Sequence, residues 1–182
     1  MKFVLLLGLG LAVSAGAQQH PRGSNFLNPT VHQRAQLLLI RMHAYNQAQI
    51  RMGELVSQYG ASAKVRRLGT LVARYHKFAD EKLRQVAAKN SLALSGPLPS
   101  GRPAIIPAPP GPPLPPLAQS RGAQLDAEFL LRLIRQDETE LHTWAQVEMF
   151  VRVARLSDMI HDMTPIVKQE QRLALSLRGT VA

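Results

Sequence analysis

The sequence predicts an all-α protein, a four-helix bundle made of two antiparallel helical hairpins joined by a long proline-rich crossover. Three observations predict it. Apolar residues recur at helical spacing through two long blocks, strand-like alternation is missing, and ten of the 13 prolines crowd between Pro97 and Pro116. An apolar stripe on a helix needs a surface to bury it, and two hairpins satisfy that need for each other.

Residues 1–17 read as a signal peptide. Met1 and Lys2 give a short positive start, Phe3–Val13 is almost wholly apolar, and Ala15-Gly16-Ala17 supplies the small residues of a cleavage site. A membrane anchor is the competing reading, but a spanning helix needs roughly 20 apolar residues, and this stretch is shorter. Cleavage after Ala17 leaves Gln18–Ala182, with no later segment apolar enough to span a bilayer. The expected location is the periplasm or cell envelope of a bacterium. Residues 18–29, polar and carrying Pro21 and Pro29, read as a flexible lead-in.

The first hairpin is expected over residues 30–94. Leu38, Met42, Tyr45, Met52, Val56 and Tyr59 form one face, Thr30 caps the start, and Gly60 follows the end. A second helix begins near Ser62 with the stripe Val65, Leu68, Val72, Tyr75, Ala79, Leu83 and Val86, and Asn90 lies close to its end. The tight turn at Gly60 makes the two helices antiparallel.

Residues 95–117 form the linker. Such proline density removes backbone donors and fixes φ, leaving an extended polyproline-like segment. It is read as a spacer, since about 3.1 Å per residue carries it along a helix; the competing reading is a docking site for a proline-recognising partner or the cell wall.

Residues 118–178 form the second hairpin. Its stripes are Leu130, Ile134, Leu141, Trp144, Val147 and Val151, then Leu156, Met159, Met163, Ile166, Leu173 and Leu177. Ser157-Asp158 offers a cap for the fourth helix, and Pro165 should kink that helix or begin a new turn.

Composition narrows the function. The chain fits one domain with a real core. With no cysteine, it has neither disulfides, nor a lipid-anchored N-terminal cysteine, nor a thiolate metal site. The net charge of +10 becomes +9 when Lys2 leaves with the signal peptide. In an exported protein the matching anions are lipopolysaccharide, anionic lipids or other envelope polymers, not nucleic acid. The basic residues are spread along the helices, so a solvated surface is the plainer reading of them.

Four polar residues interrupt the stripes near mid-helix: Gln49, His76, Asp137 and Glu170, one on each helix. Buried polar groups need partners, so on inward faces these four would meet one another, water or a metal. At stripe edges they would face solvent, and periodicity alone does not choose.

Several runs resemble the exported bacterial family known as domain of unknown function DUF4142. Met42-His43-Ala44-Tyr45-Asn46-Gln47-Ala48-Gln49-Ile50-Arg51-Met52-Gly53-Glu54-Leu55 is similar to its first helix. Val65-Arg66-Arg67-Leu68-Gly69, Tyr75-His76-Lys77-Phe78-Ala79-Asp80, Gly122-Ala123-Gln124-Leu125-Asp126 and Thr164-Pro165 continue the likeness. The resemblance implies a ferritin-like four-helix bundle and brings no established activity. It also maps the family's inward polar positions onto Gln49 for an acid, Tyr75-His76 for Asp-His, and Asp137 and Glu170 for histidines. An internal echo of residues 42–49 in 141–148 would instead match Glu148 to Gln49.

A ferritin-like fold invites a di-iron site, which takes Glu-x-x-His from two helices. That motif is missing, and Glu138 and His142 stand four apart. His76, Asp137 and Glu170, with Gln49 and water, would hold at most a single transition-metal ion. Gly-x-Ser-x-Gly, His-Glu-x-x-His and phosphate loops are missing too, and nothing marks a nucleophile. His32 and His43 read as surface or edge residues, His161-Asp162 as a capping or surface pair, and Trp144 and Tyr45 as core. The sequence is therefore read as a binding or stress-related envelope protein without catalytic residues or cofactor, with the mononuclear metal site as the alternative.

Overall fold

The computed structural model describes residues 29–95, 117–148 and 156–180. Four helices account for nearly all of them: α1 (Pro29–Tyr59), α2 (Ala63–Lys89), α3 (Gly122–Glu148) and α4 (Leu156–Arg178), with a single 3₁₀ turn at Leu117–Gln119 before α3. Among the described residues there is no strand. The expected signal peptide and nearly all of the expected lead-in and linker lie outside the described residues, as do Val151 and the side chains of His32, Val147 and Glu148.

Helix α1 starts at Pro29, one residue earlier than expected, so Thr30 lies inside the first turn and does not cap it. Proline suits a first turn because its missing N–H has no intrahelical partner there and its φ is already helical. Ser62 is the N-cap of α2, its hydroxyl accepting from the Val65 N–H at 3.5 Å, and Asn90 closes the other end. Ser157 and Asp158 fall within the first turn of α4, where the Asp158 charge faces the positive end of the helix dipole. Pro165 sits inside α4, which continues as helix on both sides of it.

The turn between α1 and α2 is tied to the start of α3. Gly60 bridges Gly122, and the Asp126 carboxylate accepts the Ser62 N–H at 2.6 Å. Gly60 is needed for space and not for a left-handed φ: a Cβ there would stand 2.5 Å from Asp126 Oδ1 and 2.8 Å from the Val56 carbonyl. Gly122 does adopt positive φ, at 59°. Because α3 starts where α1 stops, α2 and α3 run parallel while each hairpin is antiparallel. The helices pack in the ring order α1, α2, α4, α3.

Two apolar clusters fill the bundle. One gathers Leu38, Met42, Leu83, Trp144, Met159 and Met163 at the end where α1 begins. The other gathers Val56, Val65, Leu68, Leu125, Phe129 and Leu133 at the end where α1 stops. Leu92 packs in the first and Leu117 in the second, so the described residues on either side of the expected linker sit at opposite ends of the bundle. Within the second cluster α1 and α2 touch backbone to backbone through Gly53 and Gly69.

The expected stripes hold with local exceptions. Tyr59, the last residue of α1, is 49 % exposed, with the Arg121 guanidinium 4.9 Å over its ring. Tyr75 yields the inward position to His76, its neighbour. In α4 the inward line runs Met163, Val167, Glu170, Ala174, leaving Leu173 37 % exposed. The larger apolar residue is one position out of phase with the packed face.

Candidate functional site

The gap between the two apolar clusters is filled by polar side chains from all four helices. Gln49, His76, Asp137 and Glu170 are all buried there, the first three with no exposed surface. Each follows an apolar residue at a spacing of three, four or seven, so the helix turns it inward with the stripe.

His76 is the hub. Its Nε2 faces Glu170 Oε2 at 3.1 Å and its Nδ1 faces Asn46 Oδ1 at 2.8 Å, so both ring nitrogens are engaged. The Tyr45 ring meets His76 edge-on, with centroids 5.1 Å apart, and its hydroxyl donates to Asp137 Oδ1 at 2.8 Å. The Gln49 amide donates to the same oxygen at 3.4 Å and to Gln136 at 3.3 Å. Toward the first cluster, Glu140 accepts from the Trp144 indole at 2.9 Å and from Arg41 at 3.3 Å, and Arg41 also donates to Thr143.

Burial sets the electrostatics. Desolvation, with the Glu170 charge second, pushes the Asp137 carboxyl well above the usual carboxylate range. Glu140 is raised by desolvation, against the lowering effect of Arg41. Tyr45 is held well above its ordinary value by burial and the neighbouring carboxylates, so it acts as a donor. Asp137 therefore keeps its proton to higher pH than an exposed aspartate does.

Three buried oxygens in this layer have no hydrogen-bond partner: Gln49 Oε1, Asp137 Oδ2 and Glu170 Oε1. All three are acceptors when the carboxylates are ionised, and each would cost about 1–3 kcal/mol if left bare. A proton on Asp137 Oδ2 turns one of them into a donor. A buried water or a cation would serve the rest. The donor set is suitable in kind for a cation, but both His76 nitrogens are occupied. Among the described residues no three of His, Asp and Glu are grouped to hold a metal.

A groove of about 320 Å³ between α1 and α3 is lined by Arg41, Tyr45, Ala48, Gln136 and Glu140 and borders the layer from outside. The other histidines whose side chains are described stand apart: His142 and His161 are exposed, and His43 is half-buried at the edge of α1 with Nδ1 2.6 Å from Asp80.

Sequence reasoning missed several buried polar groups. Asp80 accepts from His43, Gln47 and Arg84. Asn46 and Glu140 belong to the layer itself. The signal was available for two of them: Asp80 lies four residues after His76, and Glu140 three after Asp137 and four before Trp144, both on the inward face. Asn46 sits beside Tyr45 and is hidden by that larger neighbour. Asp126 stands out in the sequence only as part of the Gly122–Asp126 run, and in the structure it accepts the Ser62 N–H.

Fold and site together define an all-α four-helix-bundle protein with a buried polar layer across its middle. Residues 24–177 match the family described as Domain of unknown function (DUF4142), and the chain belongs to that family. No curated protein and no solved structure matches it.

Proposed function

We propose that this protein is an exported, ferritin-like bundle of the bacterial periplasm or envelope that works by binding an anionic envelope component, in a structural or stress-related role, without catalysing a reaction. One observation carries the reading: the cationic excess stands on the outside of the bundle, with Arg51, Lys64, Arg67, Arg74, Lys89 and Arg135 all exposed. The charged start, apolar stretch and A-x-A site of residues 1–17 support export. Parallel α2 and α3 between antiparallel hairpins support the ferritin-like connection. No helix among the described residues is long and apolar enough to cross a membrane, so a membrane contact would be made from the surface. The test is association with phosphatidylglycerol against phosphatidylcholine vesicles at low and high salt. Binding to the anionic vesicles alone, released by salt, supports the reading. Equal or absent binding to every anionic probe sinks it.

A second reading, a single transition-metal ion near His76, Asp137 and Glu170, is favoured by the three unpartnered oxygens. Using it would require His76 to give up Glu170 or Asn46. Metal content by mass spectrometry on protein purified without chelator tests it, with Glu170→Gln alongside. Near-stoichiometric metal that disappears in the variant establishes the site; no metal in either protein removes it.

A further inference from the structure

The outward face of α2 combines charge and aromatic surface in one line. Lys64, Arg67, Arg74 and Phe78 are exposed, Leu71 and Tyr75 are half-buried between them, and Lys82 is half-buried one turn beyond. These positions recur every three or four residues, so they share one side of the helix. Phe78 is 59 % exposed, the most open of the large apolar side chains among the described residues, with the Lys82 ammonium 4.7 Å from its ring centre. The Arg74 guanidinium stands 5.3 Å over Tyr75. Toward the C-terminal end of α2 the line is bordered by Asp158 and Asp162 of α4, Asp162 pairing with Lys82 at 3.6 Å. Glu81 lies at its margin. The least neutralised part is therefore the stretch from Lys64 to Phe78.

We propose that this face is a membrane-docking surface, laid along an anionic bilayer with Lys64, Arg67 and Arg74 on lipid phosphates and Phe78 dipping below them. The inference rests on the anionic-partner reading above and names the surface that does the binding. A line from Lys64 to Phe78 is about 21 Å long at 1.5 Å per residue, enough to contact several headgroups at once. Interleaved aromatic and basic side chains suit a bilayer boundary, where aliphatic stems and rings lie in the apolar zone and charges reach the phosphates. A soluble polyanion would use the cations and leave Phe78 without purpose. A second copy of the chain fits poorly, because a two-fold interface centred on this stretch would set Arg67 of one copy against Arg74 of the other.

The test is flotation with phosphatidylglycerol vesicles, using protein processed by the exporting cell. Each cation near an anionic surface contributes about fivefold in partitioning at low salt. Arg67→Gln with Arg74→Gln should therefore weaken binding about 25-fold. Arg51→Gln with Arg135→Gln removes the same charge from exposed sites on α1 and α3 and should leave most binding intact. In Phe78→Trp, adding vesicles should shift emission to shorter wavelength. Equal losses in the two double variants, or an unshifted Trp, overturn the proposal. A dimer in light scattering that Phe78→Ala dissolves also overturns it, with a second copy as the occupant. Binding to soluble polyphosphate but not to vesicles overturns the membrane surface and leaves the anionic-partner reading standing. Binding to neither overturns both.

Discussion

Replacing Gly53 by alanine sets two known effects against each other. Gly53 lies inside α1 in its C-terminal half, where alanine favours the helix by about 1 kcal/mol. Its missing side chain, however, faces the backbone of α2. A Cβ at Gly53 would stand 2.5 Å from the Gly69 carbonyl oxygen, 2.8 Å from the Ala73 nitrogen and 3.0 Å from the Ala73 Cβ. Carbon–oxygen contacts prefer roughly 3.3–3.6 Å, so α1 and α2 must part by roughly an ångström. No rotamer relieves the clash, because the two nearest atoms are main chain in a helix. Parting the helices would also loosen Val56, Leu68 and Val72, all buried where the hairpin is tightest. Overpacking costs about 1–3 kcal/mol, and a backbone obstacle belongs at the upper end. Subtracting the propensity gain leaves a net loss of about 2 kcal/mol, or a fall in Tm of about 4–8 °C for a domain of this size. Thermal denaturation followed by circular dichroism measures it. Gly179→Ala is the control, since nothing lies within 4 Å of a Cβ there, and its Tm should stay put. A Gly53→Ala protein as stable as the parent, or more stable, would mean that propensity wins and that the helices do not meet as closely as Gly53 and Gly69 place them.

The other predictions concern the polar layer and the hairpin turn. Asp137→Asn should gain stability relative to the parent as pH rises. The folded carboxyl has a raised pKa, so its favourable contribution is complete below the unfolded value and disappears as pH climbs through the folded one. Urea midpoints at several pH values from about 4 upward check this, and a difference independent of pH refutes it. Arg41→Met leaves Glu140 buried without its cation and should cost about 1.5–3 kcal/mol, read from the same denaturation curves. Gly122→Ala meets no neighbour but forces a side chain onto a φ of 59°, for a loss of about 1–2 kcal/mol. Asp126→Ala removes the acceptor of the Ser62 N–H and should speed amide exchange at Ser62, measured by hydrogen–deuterium exchange.

The helices were legible because their stripes are long. Leu38, Met42, Val56, Val65, Leu68, Val72 and Leu83 all reach the core the periodicity assigned them. The phase of α4 was misread near its C-terminus, where packing follows the small residue Ala174 and leaves the bulkier Leu173 half outside. Size attracts attention in a sequence, whereas geometry decides in the bundle. The polar residues were legible as interruptions but not as buried, since a stripe edge and a stripe centre differ by one position in a helix. Asn46 shows the limit: nothing in the sequence says that His76 will present its second nitrogen to it.

The layer has a consequence for what the bundle can do. An unbroken apolar core would be more stable, because polar atoms such as Asp137 Oδ2 and Glu170 Oε1 gain nothing from burial without partners. Polar groups from four helices instead fix the register of each helix against the others: a slip of one turn would separate Tyr45 from Asp137 and His76 from Asn46 and Glu170 together. Fixed register matters to a surface assembled along one helix, since α2 carries both His76 inward and Arg74 and Phe78 outward within five consecutive residues. The same turns that anchor the layer therefore present the cationic face, and a variant that disrupts His76 should disturb vesicle binding without touching a single surface charge. Glu170→Gln, which keeps an acceptor for His76, should leave that binding near the parent level, and flotation of the two variants side by side decides it. Unchanged binding in the His76 variant, or loss in both with the fold retained by circular dichroism, would refute the link between the layer and the membrane face proposed on α2.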